Sequence, residues 1–137
     1  MMEKNNNSMK NLWKTLCIML FGSCVMSCSS ANSDNSLSVD KFNEVIGAGN
    51  VQIVDVRTPQ EYGEGHISGT VNIDVMNSSF EQNVDKSLDK NIPVAVYCRS
   101  GNRSKTAMKI LLKKGFKVYE LDKGFNAWKS SGMKIEY

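Results

Sequence analysis

Cys98 stands at the point where a short apolar run meets a small polar loop. Residues 92–97 are apolar enough for a buried strand, and after the loop the apolar residues recur with helical spacing. The backbone N–H groups of such a loop, with the N-terminus of the next helix, form a cup that binds anions. The pKa of a free thiol is about 8.5, and helix N-termini and nearby cations lower it because they favour the thiolate. We therefore expect Cys98, beside Arg99 and Arg103, to be an exposed nucleophile.

The loop at residues 98–104, Cys-Arg-Ser-Gly-Asn-Arg-Ser, resembles the active-site loop of single-domain rhodaneses, sulfurtransferases that carry a sulfane sulfur on their cysteine. Two further segments are similar to motifs of that family. The first is Asp-Val-Arg-Thr-Pro-Gln-Glu-Tyr at residues 55–62, continued by Gly-His-Ile-Ser-Gly at residues 65–69. The second is Gly-Phe-Asn-Ala-Trp at residues 124–128. Three motifs in order make the resemblance specific.

The resemblance implies catalysis by Cys98 through double displacement. The thiolate takes the outer sulfur of thiosulfate or a persulfide, and the resulting Cys98 persulfide gives it to cyanide or to a thiol, which a partner protein could carry. Neither a metal nor an organic cofactor is expected. Loop amides and hydroxyls can bind the negative terminal sulfur, because glycine lets the loop curl with its N–H groups inward. The expected substrate-binding residues are Arg99, Ser100, Gly101, Asn102, Arg103 and Ser104.

The two arginines of the loop have different expected positions. Arg99 faces the solvent entrance and meets the anionic donor. Arg103 either points into the loop or pairs with an acid such as Asp55 or Glu61. The sequence leaves both arrangements open.

Four residues of the second motif are expected to support the site. Asp55 and Arg57 follow a strand and are typical of a structural salt bridge, while Glu61 belongs to a helix-capping box that begins at Thr58. His66, the only histidine of the chain, could act as a base in a Cys-His pair. In the related family this position is structural, so we expect a hydrogen-bonded scaffold role.

The first residues are typical of an export signal. Three lysines precede an apolar run at residues 16–26, which is too short to span a bilayer. The run ends on Val-Met-Ser-Cys, which resembles the lipobox of bacterial lipoproteins and makes Cys28 the lipidated first residue of the mature protein. An ordinary cleaved signal and an uncleaved anchor are the alternatives. The expected location is the bacterial cell envelope, facing the periplasm, with membrane contact through the lipid.

The sequence is accordingly divided into a signal peptide at residues 1–27, a polar tether at 28–37 and one rhodanese-like domain at 38–137. Cys17 and Cys24 leave with the signal and Cys28 is acylated. Cys98 is then alone in the domain, which excludes an intramolecular disulfide framework.

Charge is distributed unevenly along the chain. Residues 99–134 hold ten Lys or Arg against two acids, whereas residues 28–98 hold four against ten. This asymmetry predicts a positive field around the loop that attracts a small anion, although part of the excess is the solvent face of one helix. We do not expect nucleic-acid binding.

Strands alternate with helices along residues 38–137, which predicts an α/β fold. We expect a mostly parallel central sheet of about five strands with helices on both faces, with Cys98 at the edge where the strands end. This is also the rhodanese fold that the resemblance implies. The domain is expected to be a monomer.

Two other functions compete with sulfur transfer. Protein tyrosine phosphatases and arsenate reductases also combine a cysteine, a loop of amides and an arginine, but with five residues between cysteine and arginine. Here four residues intervene, which predicts a tighter cup suited to a single sulfur. The second alternative is a carrier or redox-sensing module that uses Cys98 without turnover.

Overall fold

The computed structural model describes residues 35–137. The predicted signal peptide, Cys28 and most of the tether lie outside the described residues. The elements in chain order are β1 (Ser36–Leu37), α1 (Val39–Gly47), β2 (Gln52–Asp55), α2 (Pro59–Gly63), β3 (Thr70–Asn72), α3 (Phe80–Ser87), β4 (Val94–Tyr97), α4 (Asn102–Lys113), β5 (Val118–Leu121) and α5 (Gly124–Ser130). None of the helices in this part of the chain is long and apolar enough to cross a membrane.

The strands form one five-stranded sheet in the order β1-β5-β4-β2-β3. Every neighbouring pair is parallel. The predicted α/β fold with a parallel sheet is therefore confirmed. Because all strands run the same way, their carboxyl ends lie at one edge of the sheet, and ligand sites of such folds lie at that edge.

Helices cover both faces of the sheet, as the alternating pattern predicted. On one face, α3 and α4 contribute Phe80, Val84, Ala107, Met108 and Leu111 to the core. On the other face, α1 and α5 contribute Phe42, Phe125 and Trp128. The central strand β4 supplies both halves in alternation: Val94 and Val96 face α4, whereas Ala95 and Tyr97 face the opposite layer. A strand buried on both faces explains the unbroken apolar run before Cys98.

Two of the helices in the described part of the chain, α1 and α2, start at a side-chain cap. Ser38 is the N-cap of α1, and its hydroxyl accepts a hydrogen bond from the Lys41 amide. Thr58 and Glu61 form the predicted capping box of α2. The start of α3 at Phe80 has no side-chain cap. These local signals fix where the chain leaves each strand end, which is where the site residues lie.

The sheet begins two residues before the predicted domain boundary. Ser36 and Leu37, which the sequence analysis assigns to the tether, pair in parallel with Glu120 and Leu121 of β5. These two residues of the predicted tether therefore take part in the sheet. A strand of two residues is too short to show a hydrophobic pattern in the sequence. Its position depends on pairing with the edge of β5.

Candidate active site

Cys98 directly follows β4 and lies beneath the loop rather than at its surface. The residue is 1% exposed, and its Sγ accepts a hydrogen bond from the Gly101 amide at 3.1 Å. The thiol donates to Ser104 Oγ at 3.4 Å. The expectation of an exposed thiolate is wrong, since the alternation of β4 continues through Cys98 and turns its side chain toward α4, on the same side as Val94 and Val96. The sulfur is therefore almost completely covered.

Gly101 allows the loop to curl over the sulfur. Its φ of 104° is in the left-handed region, and it is the N-cap of α4. A Cβ at this position would lie 1.9 Å from the carbonyl oxygen of Asp122. Glycine is therefore required both for the backbone conformation and for the close approach of β5. This turn places the Gly101 amide, at the N-terminus of α4, on the Cys98 sulfur, where a helix N-terminus stabilises negative charge.

The start of α5 holds the loop from the other side. The amides of Phe125 and Asn126 donate to the carbonyl oxygens of Cys98 and Arg99, at 2.8 and 3.0 Å. In a trans peptide the C=O and the following N–H point in opposite directions. The amides of Arg99 and Ser100 therefore point away from α5 and into the loop. Gly124 permits this packing, because a Cβ there would lie 2.6 Å from the Arg99 carbonyl.

The predicted substrate-binding residues separate into two groups. Arg99, Ser100 and Asn102 are exposed at the mouth of the loop, and Gly101 and Ser104 are buried beneath it. Arg103 is half-buried and forms a two-point ion pair with Glu61, at 2.7 and 2.8 Å. Of the two arrangements that the sequence leaves open for Arg103, the structure has the pair with an acid, and the acid is Glu61.

Glu61 is held as a carboxylate by this pair. The hydrogen bonds from Arg103 lower its pKa to about 2, and hydrogen bonds from the backbone and hydroxyl of Thr58 act in the same direction. The pair joins α2 to α4 across the loop. It therefore fixes the position of the helix whose N-terminus faces Cys98.

Glu61→Gln is expected to destabilise the domain at neutral pH and to have no effect near pH 2. A carboxylate whose folded pKa lies below its unfolded value stabilises the protein above about pH 4.5 and loses that effect as the pH falls to about 2. For a partly exposed pair we expect about 1 kcal/mol, or about 4–8 °C in Tm. Thermal unfolding of both proteins between pH 2 and pH 7 measures it. A difference in Tm that is constant with pH would contradict this role of the ion pair.

Asp55 and Arg57 form the buried salt bridge that the sequence predicts. The Arg57 Nη2 lies 2.6 Å from Asp55 Oδ2 and also donates to the Gly65 carbonyl at 2.7 Å. The guanidinium stacks over the Phe125 ring, with Cζ 4.2 Å from the ring centroid. This pair links the end of β2 to the segment before β3 and to α5, so it supports the frame of the site.

His66 belongs to a network at the chain's C-terminal end. Its Nδ1 lies 3.0 Å from the Tyr62 carbonyl, and its ring stacks on the Tyr62 ring at 3.8 Å between centroids. Its amide donates to the Glu136 carbonyl at 2.8 Å. These are the contacts of a scaffold residue.

Glu120, a fully buried acid on β5, was not among the predicted site residues. Its Oε1 accepts a hydrogen bond from Ser104 Oγ at 2.6 Å, its Oε2 accepts one from the Ser36 hydroxyl, and Lys105 Nζ lies 3.6 Å from Oε2. The available signal was an acid in an otherwise apolar strand, at the position that alternates inward with Val118.

A polar pocket of about 150 Å³ lies beside the loop. Its lining includes three basic residues, Arg57, Arg99 and Lys129, and two acids, Glu61 and Glu64. Of these charges, Glu61 is paired with Arg103 and Arg57 with Asp55, which leaves Arg99 and Lys129 against Glu64. The predicted attraction of small anions therefore has a structural counterpart at this pocket, next to Arg99.

A parallel α/β sheet that delivers a cysteine to a loop of inward-facing amides defines a class of proteins that act through a thiol nucleophile. Within that class, the family model of the rhodanese-like domain matches residues 38–131, and the chain belongs to this family. The chain is 42% identical over 80 residues to the thiosulfate sulfurtransferase GlpE of Pseudomonas paraeruginosa, an alignment that covers 58% of this chain and 70% of that protein. It is a sulfurtransferase of the rhodanese type.

Solved structures share the fold. A rhodanese-related protein from Thermoplasma volcanium superimposes with a TM-score of 0.67 at 27% identity, over 74% of this chain and 97% of that one. A protein from Rhodopseudomonas palustris described as a possible tyrosine phosphatase superimposes with a TM-score of 0.64 at 29% identity, over 74% of this chain and 84% of that one.

Proposed function

We propose that Cys98 accepts a sulfane sulfur from thiosulfate or a persulfide, carries it as a persulfide and transfers it to cyanide or a thiol. The observation that supports this assignment is the contact of the Gly101 amide with Sγ, in a loop whose neighbouring carbonyls are turned outward to α5. A loop of this kind presents donors to one negatively charged sulfur without rearrangement.

With thiosulfate as donor, the reaction is two successive displacements. The Cys98 thiolate attacks the outer sulfur, the sulfur–sulfur bond of thiosulfate breaks, and sulfite leaves with the bonding electron pair. The persulfide anion then rests among the loop amides. Cyanide attacks the terminal sulfur, leaves as thiocyanate and restores the thiolate. Arg99, exposed at the mouth and next to the polar pocket, is placed to attract the anionic donor.

The mass of the intact protein tests this proposal. Incubation with thiosulfate is expected to add one sulfur atom, located on the Cys98 peptide, and cyanide is expected to remove it. No addition from thiosulfate or from a small persulfide donor would overturn the proposal. Addition and removal without steady-state turnover would favour the carrier module instead.

A phosphatase is the second function to consider, because of the Rhodopseudomonas palustris protein. Two features favour sulfur transfer for this chain. Four residues separate Cys98 from Arg103, one fewer than in tyrosine phosphatases. Both terminal nitrogens of the Arg103 guanidinium donate hydrogen bonds to the Glu61 carboxylate. Given this spacing and this ion pair, Arg103 is not available inside the loop to bind the three oxygens of a phosphate. Incubation with p-nitrophenyl phosphate is the direct comparison.

We also propose that the protein is a lipoprotein of the bacterial cell envelope, anchored through Cys28. This residue lies outside the described part of the chain, so the proposal depends on the sequence at residues 16–28 alone. The basic residues, the apolar run and the terminal cysteine occur in the order that lipidation requires.

Cys28→Ala is expected to move the protein from the membrane fraction to the soluble fraction of fractionated cells. Acylation contributes the membrane affinity of its chains, and the substitution removes their attachment point. Immunoblots of both fractions measure the change, and Cys24→Ala is the matched control because Cys24 lies within the predicted signal. Unchanged membrane association of the Cys28 variant would refute lipidation at this position.

A further inference from the structure

Glu120 is a buried carboxylate that the sulfur-transfer steps do not use. It is 0% exposed and reaches Cys98 through one residue, Ser104, which is also 0% exposed. We propose that Glu120 is a positioning residue for Cys98: its carboxylate accepts the one hydrogen bond that the Ser104 hydroxyl can donate, and this holds the resting sulfur as a thiol. The significance of this role rests on the proposed function, but the role itself concerns only the ionisation of Cys98.

The hydrogen bonds of Ser104 carry the argument. A serine hydroxyl has one proton to donate, and an ionised carboxylate only accepts. The distance of 2.6 Å from Ser104 Oγ to Glu120 Oε1 is that of a charge-assisted hydrogen bond, so the proton is directed to Glu120. Toward Cys98, 3.4 Å away, Ser104 Oγ then presents a lone pair. A lone pair accepts the S–H of a thiol and repels a thiolate.

The charge of Glu120 acts in the same direction. Other elements around Cys98 also contribute charges: Arg103 with Glu61 and Asp74, Arg57 with Asp55, and Lys105 with Asp122. Arg103 and Arg57 each have a carboxylate partner of their own, and Arg99, next to Cys98 in the chain, is exposed at the mouth of the loop. Lys105 is shared by two carboxylates, because its Nζ lies 2.8 Å from Asp122 and 3.6 Å from Glu120. One lysine does not balance both, so the buried Glu120, two hydrogen bonds from the sulfur, opposes a second negative charge there.

The arrangement also favours the loaded enzyme over the free thiolate. In the persulfide the negative charge is on the terminal sulfur, one bond further from Sγ. A sulfur that arrives from solvent cannot pass through Ser104 and Glu120, which are both 0% exposed, so it is added on a different side of Sγ. Repulsion by Glu120 is then weaker for the persulfide than for the thiolate. Glu120 thus disfavours the empty, oxidisable thiolate and opposes the loaded form less.

Glu120→Gln tests the proposal, because the amide keeps the shape, loses the charge and can donate to Ser104. The Ser104 proton is then free to turn to the sulfur. The rate of Cys98 alkylation by iodoacetamide, followed on its peptide by mass spectrometry from pH 5 to pH 10, is the measurement. We expect the midpoint of the pH profile to fall by about one unit, which is about a tenfold faster reaction at pH 6.

Glu44→Gln is the matched control. It makes the same change of side chain at an exposed carboxylate of α1, whose ion pair is with Lys41. Its midpoint is expected to stay within about 0.3 unit of the unsubstituted protein. A Glu120→Gln midpoint that is unchanged overturns the proposal. A higher midpoint also overturns it, since that result requires Glu120 to withdraw the thiol proton through Ser104 as a base.

Ser104→Ala decides the question if Glu120→Gln does not fold. By the proposal Ser104 only accepts from the thiol, so its removal destabilises the thiol and lowers the midpoint by about 0.3 unit or more. A midpoint equal to or above that of the unsubstituted protein overturns the proposal, because Ser104 would then be a donor to the thiolate. Alkylation requires no sulfur donor, so these outcomes are independent of whether the protein transfers sulfur.

Discussion

Cys98→Ser is expected to lower kcat/KM for sulfur transfer from thiosulfate to cyanide by about 10⁴-fold or more. The serine hydroxyl is nearly the same size as the thiol and can accept the hydrogen bond from the Gly101 amide, so the loop is preserved. What is lost is the atom that attacks the donor and carries the transferred sulfur. Thiocyanate formation under steady-state conditions, with circular dichroism to verify the fold, measures the effect.

Lys109→Ala provides the comparison for Cys98→Ser. Lys109 is exposed on α4, the helix that follows the loop, and it carries one of the charges that we attribute to the solvent face. Its activity should remain within about twofold of the unsubstituted protein. Substantial turnover by Cys98→Ser would show that another group carries the sulfur, and the mechanism proposed for this loop would have to be abandoned.

Gly101→Ala is expected to reduce activity by about 10²- to 10³-fold, the loss typical of removing one positioned N–H donor. The new methyl group would overlap the Asp122 carbonyl oxygen, from which an ideal Cβ is only 1.9 Å away. The loop must move to relieve this contact, and the Gly101 amide moves away from Sγ. Steady-state sulfur transfer and urea unfolding of the same protein measure the two consequences.

Gly115→Ala separates the overlap from backbone strain. Gly115 has a similar φ of 92°, but a Cβ there has no neighbour within 4 Å. Both variants should lose about 1–2 kcal/mol of stability for the left-handed backbone. Only Gly101→Ala should also lose activity. Equal loss of activity in both variants would mean that general destabilisation, rather than the position of the Gly101 amide, limits sulfur transfer.

The parts of the site that the sequence predicts are those with local signals. The apolar run before Cys98, the glycine in the loop and the helical spacing after it define a strand, a turn and a helix within about twenty residues. The capping box at Thr58 likewise needs only neighbouring residues. Such features follow from backbone geometry and survive in any fold that contains them.

The parts that the sequence does not predict depend on contacts between distant segments. Whether Arg103 pairs with Glu61 depends on the packing of α2 beside α4, 42 positions apart in the chain. The burial of Cys98 depends on which face of β4 it continues. The partnership of Glu120 with Ser104 requires β5 to lie next to β4. The order of the strands in the sheet determines all three contacts, and no single segment of the sequence indicates that order.

The short strand β1 gives the tether a mechanical connection to the nucleophile. The bonds that attach it to β5 include those from the Glu120 amide to the Asn35 carbonyl and from the Asp122 amide to the Leu37 carbonyl. If the chain is held at Cys28, tension along the strand loads both bonds together in shear. Rupture would also take the Ser36 hydroxyl from Glu120. Force on the anchor would then change the environment of Ser104, and through it the reactivity of Cys98.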